Sequence, residues 1–112
     1  MQLTVTEAGD TQILRVEEAR IDSAVAIQFK DAVRARVSPR ARRVVLDLGQ
    51  VDFIDSSGLG AVVAAMKAMD DGQQLDLAAL QPTVDRVFRL TRMDTIFVIH
   101  ESVEAARNAS VD

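Results

Sequence analysis

Cysteine is absent from the 112 residues, which excludes disulfides and thiolate chemistry. Histidine occurs once, as His100, so a histidine-based metal cluster cannot form, and neither metal nor cofactor is expected. No run approaches the ~20 apolar residues of a membrane span. The start, Met1 to Glu7, lacks the basic residues and apolar core of a signal peptide. These absences predict a cytoplasmic protein without membrane insertion. Repeats, low-complexity tracts and linkers are missing too. So is an excess of positive charge: 13 Lys and Arg face 17 Asp and Glu, for a formal net charge of −4. Nucleic-acid-binding domains usually carry a basic patch, so nucleic acid is not an expected partner. Basic residues do gather between Arg34 and Arg43, and they read as a solvated helix end and loop.

The chain does hold the material of a core. It is 48% hydrophobic and 27% charged, which suits one soluble domain over residues 1–112. A monomer is the default expectation.

Periodicity organises that domain. Leu3 to Glu7 alternates apolar and polar, Gly9-Asp10 turns, and Gln12 to Val16 forms a second strand, giving a hairpin. A helix follows, capped by Asp22 or Ser23, with Val25, Phe29, Val33 and Val37 on its inner face and Ile27 opposite. It should stop near Ser38-Pro39, because proline disfavours helical geometry in the residue before it. The β-branched run in Arg43 to Leu48 fits a buried central strand. A second helix opens after Asp55 and runs to about Asp70, ended by Asp71-Gly72. Gln74 to Leu80 is the next strand. Pro82 opens a third helix, with Val84, Val87, Phe88 and Thr91 inward. Ile96 to Ile99 is a short last strand and Ser102 to Ala109 a final helix, opened by a capping-box-like Ser102 and Ala105 that lacks the Glu. Strands alternating with helices predict an α/β domain with a mixed, mostly parallel sheet, an antiparallel N-terminal edge strand and about four helices.

One stretch, "VDFIDSSGLGAVVAA" from Val51 to Ala65, carries candidate chemistry. A serine hydrolase elbow would need Gly two residues before Ser56, where Ile54 stands, and a positioned base. A phosphate loop would use the first-turn N–H groups. The lysine of a nucleotide loop is missing, however, and Asp52 and Asp55 would repel an anion. A helix cap made by Asp55 or Ser56 is the default. Leu59, Val62, Val63 and Met66 form a stripe for the sheet. The other side carries Ser57, Ala61, Ala64, Ala65 and Ala68 rather than Lys, Glu and Gln. Alanine there could serve helix propensity alone. It could also make a smooth docking surface continuing from the serines. Gly58 and Gly60 would allow close backbone approach, of the sheet or of a partner.

The string "VVLDLGQVDFIDSSGLGAVVAA" resembles the signature of STAS domains, in particular bacterial anti-sigma-factor antagonists. "RIDSAVAIQFKDAV" and "PTVDRVFRLTRMDTIFVIHESVEAA" extend the resemblance over nearly the whole chain. It implies a mixed sheet with helices on one face, and a binding protein rather than an enzyme. Such antagonists bind an anti-sigma factor that is also a serine kinase. Phosphorylation of the serine after the motif aspartate blocks binding, and a PP2C-type phosphatase restores it. Carried onto this sequence, Ser56 is that serine and Asp55 that aspartate. Ser57, Gly58, Leu59 and Gly60 complete the motif, and Asp22 belongs to a neighbouring loop near the partner. The pattern departs at Ala19 and at Arg92, where the family often has glycine. The main alternative is a STAS scaffold or regulatory subunit, stressosome-like or transporter-associated, without a phospho-switch. A small nucleotide-binding protein is a third reading.

Overall fold

A computed structural model describes residues 1–109. Strands β1 (Leu3–Ala8) and β2 (Thr11–Val16) pair antiparallel around Gly9, whose φ of 64° is the left-handed region that glycine supplies at least cost. Strands β4 (Arg43–Asp47), β6 (Gln74–Ala78) and β7 (Ile99–His100) add in parallel, in the order β1-β2-β4-β6-β7. This is the predicted mixed sheet with an antiparallel N-terminal edge. Two short strands were not anticipated. β3 (Arg20–Ile21) and β5 (Phe53–Ile54) pair in parallel as a separate two-stranded sheet. Two residues are too few to show an alternation.

Alternation sorts the side chains of the large sheet onto two faces. Leu14, Val16, Val44, Leu46, Leu75 and Leu77 enter the main core with Phe29 and Val33 of α1 (Ala26–Arg36), Val62 of α2 (Ser56–Lys67) and Val84 and Phe88 of α3 (Pro82–Leu90). Ile13, Val45 and Ala78 face the other way and meet Ala106 of α4 (Val103–Asn108). Helices therefore cover both faces, three on one and one on the other, correcting the expectation of a single helical face.

Several local readings also change. No side chain caps α1: its cap residue is Val25, and Asp22 Oδ1 instead accepts from Ala24 N–H in a turn just before it. Thr91 is exposed, and its hydroxyl donates back to the Val87 carbonyl at the end of α3. The last strand lies at Ile99–His100, because Phe97 is drawn into the core while Ile96 and Val98 stay half-exposed. Arg92 adopts φ 63° at the exit of α3, a conformation where a side chain is disfavoured and the resembled family often has glycine. At the chain's other helix end the prediction holds: Ser102 caps α4 by accepting from Ala105 N–H.

The basic segment divides in the same way. Arg34, Arg36, Arg40 and Arg42 follow the reading of a solvated end and are exposed. Arg43 contradicts it. Its side chain is 2% exposed, pairs with Asp76 Oδ2 at 3.5 Å and donates to the Ala106 carbonyl under α4. Position 43 falls on the covered side of a central strand, where a cation persists only if partnered.

Candidate functional site

The small β3–β5 sheet brings two distant loops together. Asp52 and Phe53 N–H both donate to the Ala19 carbonyl, and Ile21 stands beside Ile54. The loop after β3, carrying Asp22 and Ser23, thus lies against the start of α2.

Asp55 locks that junction. Its backbone is extended (φ −108°, ψ −174°), as a helix cap requires, and its Oδ1 accepts from Gly58 N–H at 2.8 Å. Its Oδ2 accepts from Ser23 N–H at 3.1 Å. One carboxylate therefore satisfies a first-turn donor of α2 and fixes the neighbouring loop. Asp22 belongs to the same assembly: Oδ1 accepts from Ala24 N–H, and Oδ2 pairs with Arg20 Nε at 3.2 Å. The Arg20 guanidinium lies 4.0 Å from the centroid of the Phe53 ring, a cation–π contact across the two short strands.

Gly58 resolves the question of which surface approaches its backbone. A Cβ there would stand 1.9 Å from the Ile21 carbonyl oxygen and 2.9 Å from Ile54 Cγ1. The close approach is internal, by β3. Gly60 differs, with no atom within 4 Å of a Cβ built on it.

The two serines sit on the outside of this locked turn. Ser56 and Ser57 are both exposed, and neither hydroxyl has a hydrogen-bond partner among the described residues. His100, the sole histidine, bonds Asp76 through Nε2 at 2.9 Å, so no base is bonded to Ser56. Among the described residues there is no group of acids and histidine fit to hold a metal. Among the described residues no helix is long and apolar enough to cross a membrane.

The alanine face is narrower than the sequence predicts. Ala61 and Ala65 are buried with Gly58 and Val62, at spacings that define the inner side of α2. Their small side chains let α2 lie along α1, with which it makes its principal helix contact. Leu59, Val63 and Met66 are only partly buried against the core. Exposed or half-exposed residues still run down the outer side: Ser56, Ser57, Gly60, Ala64 and Ala68, with Lys67. Gly58, Ala61 and Ala65 are thus support for the surface rather than part of it. The inward rotation of α2 toward α1, rather than squarely onto the sheet, is what a helical wheel alone cannot supply.

Comparison with known proteins gives a consistent picture. The STAS domain profile matches residues 2–106. The chain is 36% identical to BtrV of Bordetella bronchiseptica over 110 residues, covering 97% of this chain and 94% of that protein. It is 31% identical to the anti-sigma-B factor antagonist of Listeria monocytogenes over 91 residues, covering 80% and 79%. An anti-sigma factor antagonist of Mycobacterium paratuberculosis shares the fold, with a TM-score of 0.86 at 24% identity over 99% of this chain and 94% of that one.

Proposed function

This chain belongs to the STAS domain family, among its anti-sigma factor antagonists, and from that premise we propose that it is a binding protein switched by phosphorylation at Ser56. In its unmodified form it binds an anti-sigma factor that is also a serine kinase, releasing the sigma factor. Phosphorylated at Ser56 it does not bind, and a PP2C-type phosphatase resets it. The partner surface comprises Asp22, Ser56, Ser57, Gly60 and the outer edge of α2 at Ala64 and Ala68, with Asp55 and Leu59 shaping it.

One observation carries the reading. The Ser56 hydroxyl is exposed and, among the described residues, free of partners at the first turn of a helix, and Asp55 holds that turn through Gly58 N–H and ties it to the neighbouring loop through Ser23 N–H. A kinase requires an accessible hydroxyl, and a rigid turn presents it without an ordering cost. The chain itself supplies no catalytic group; ATP and its metal belong to the kinase. A phosphate brings about −1.5 to −2 charges and three acceptor oxygens. The helix N-terminus tolerates that charge locally, so the fold should persist. The effect falls on the interface, where an added anion beside Asp55 and Asp22 must be desolvated. A buried unpaired charge costs several kcal/mol, enough to reduce affinity ~100-fold or more.

The test is a labelling reaction with labelled ATP and the anti-sigma factor kinase of the same genome. One phosphate per chain, at Ser56, is expected, and none in Ser56→Ala. Full labelling of Ser56→Ala would remove the assignment.

A further inference from the structure

A groove lies between the C-terminal halves of α1 and α2, with a volume of about 160 Å³. Val33, Val37, Ala65 and Met69 give it an apolar lining. Two cations of α1, Lys30 and Arg34, stand four residues apart on the same helix face and border it. Neither makes an ion pair among the described residues. Asp70 borders it as well, leaving an excess of one positive charge on a chain of net charge −4. Ala68, exposed on the outer side of α2, forms part of the wall.

We propose that this groove is the second anchor point of the partner interface. It receives one apolar side chain of the anti-sigma factor, flanked in that partner by a carboxylate that meets Lys30 and Arg34. The inference rests on the binding function proposed above and names the partner's chemistry at a second place.

Size selects a side chain as the occupant. Pockets for small molecules usually measure about 300–1,000 Å³, and this one is near half the lower bound. A single anchoring side chain in a lined pocket is the usual form of an interface hot spot. Charge selects an acidic neighbour: the two unpaired cations give a local field opposite to that of the molecule as a whole. Distance permits both contacts at once. Ser56 and Ala68 are twelve residues apart on or beside α2, about 18 Å at 1.5 Å per residue. An ordinary interface covers ~800 Å² per partner, roughly 30 Å across. The line Ser57, Gly60, Ala64, Ala68, exposed except for the half-exposed Ala64, connects the serine to the groove without an intervening bulky side chain.

The experiment titrates the purified anti-sigma factor kinase of the same genome with four forms of the full chain. These are the unmodified protein, Lys30→Glu with Arg34→Glu, Ala68→Trp, and Ser56→Asp. Positions 34 and 68 are exposed and position 30 half-exposed, so circular dichroism and thermal melting should match the unmodified protein. The double charge reversal should weaken binding by at least about tenfold and flatten its salt dependence. Ala68→Trp, which fills the groove, should weaken it by about tenfold or more. Affinities within about twofold of the unmodified protein for both variants, with binding lost in Ser56→Asp, would overturn the groove and leave the switch standing. Failure of the unmodified protein to bind would overturn the binding function and the groove with it, whereas undiminished binding by Ser56→Asp would overturn the switch alone. Palmitate is the small-molecule control. Saturable binding of it to the free protein, abolished by Ala68→Trp while the kinase affinity is unchanged, would assign the groove to a lipid and overturn the proposal.

Discussion

Asp55 and Asp76 each tie two segments of the chain together, with opposite chemistry. Asp55 is half-buried at the rim of the molecule, and its partners there are backbone N–H groups of Gly58 and Ser23. Asp76 is 1% exposed, and its partners are side chains: Arg43 at 3.5 Å, His100 at 2.9 Å and the Gln74 amide at 2.6 Å. Arg43 carries the connection on to the Ala106 carbonyl and so fastens α4 to its face of the sheet, its own Nε having no partner among the described residues. Around Asp76 the charges balance in a low-dielectric layer, and any change of charge is costly. Around Asp55 one wall is water, so a charge can be added nearby without breaking the fold. A modification site has to be of the second kind.

The comparison breaks most visibly at the buried end. Asp76→Ala leaves Arg43 without its counter-charge, and the expected loss is about 3–5 kcal/mol of unfolding free energy, measured by urea denaturation. A loss below about 1 kcal/mol would mean that the network is not a structural fastening. Gly58→Ala sharpens the other side, because the added methyl meets the backbone of Ile21 rather than a yielding side chain. It should cost about 1–3 kcal/mol or more in the same measurement. Asp55→Ala should be milder, near 1 kcal/mol, since it removes a helix cap with water at hand to replace it. Hydrogen exchange should then quicken at the Gly58 and Ser23 amides and stay slow in β4 and β6. Equal quickening in both places would erase the distinction between the two aspartates.

The sequence discloses the Asp55 end far better than the Asp76 end. Asp-Ser-Ser-Gly after an apolar strand is local: cap, first turn and exposed serine lie within a few residues, and the motif can be read as written. The cap at Ser102 was legible for the same reason. Arg43, Asp76 and His100 sit on three different strands, so only the parallel register of β4, β6 and β7 brings them together. Arg43 both closes the basic cluster and opens the β-branched strand, and nothing local shows that its side chain takes the buried side of that strand with Asp76 as partner. Gly58 was legible as a close-approach residue, but the element that approaches it was not, because β3 and β5 are two residues long. Ala61 and Ala65 were misplaced because a helical wheel assumes the sheet as the single packing partner, whereas α2 packs on α1 as well. Leu3 to Val16, the α1 core positions Phe29 and Val33, and the alternation of the long strands with helices followed from periodicity alone, since each pattern is long enough to have a face.

The central claim is that charge added at Ser56 acts on binding and not on folding. Calorimetric titration of the anti-sigma factor kinase against unmodified and stoichiometrically Ser56-phosphorylated protein tests it most directly, with the melting temperature of both forms recorded alongside. The account predicts affinity lower by ~100-fold or more for the phosphorylated form and melting temperatures within about 4 °C of each other. Equal affinities, or a phosphorylated form that has unfolded, would contradict it.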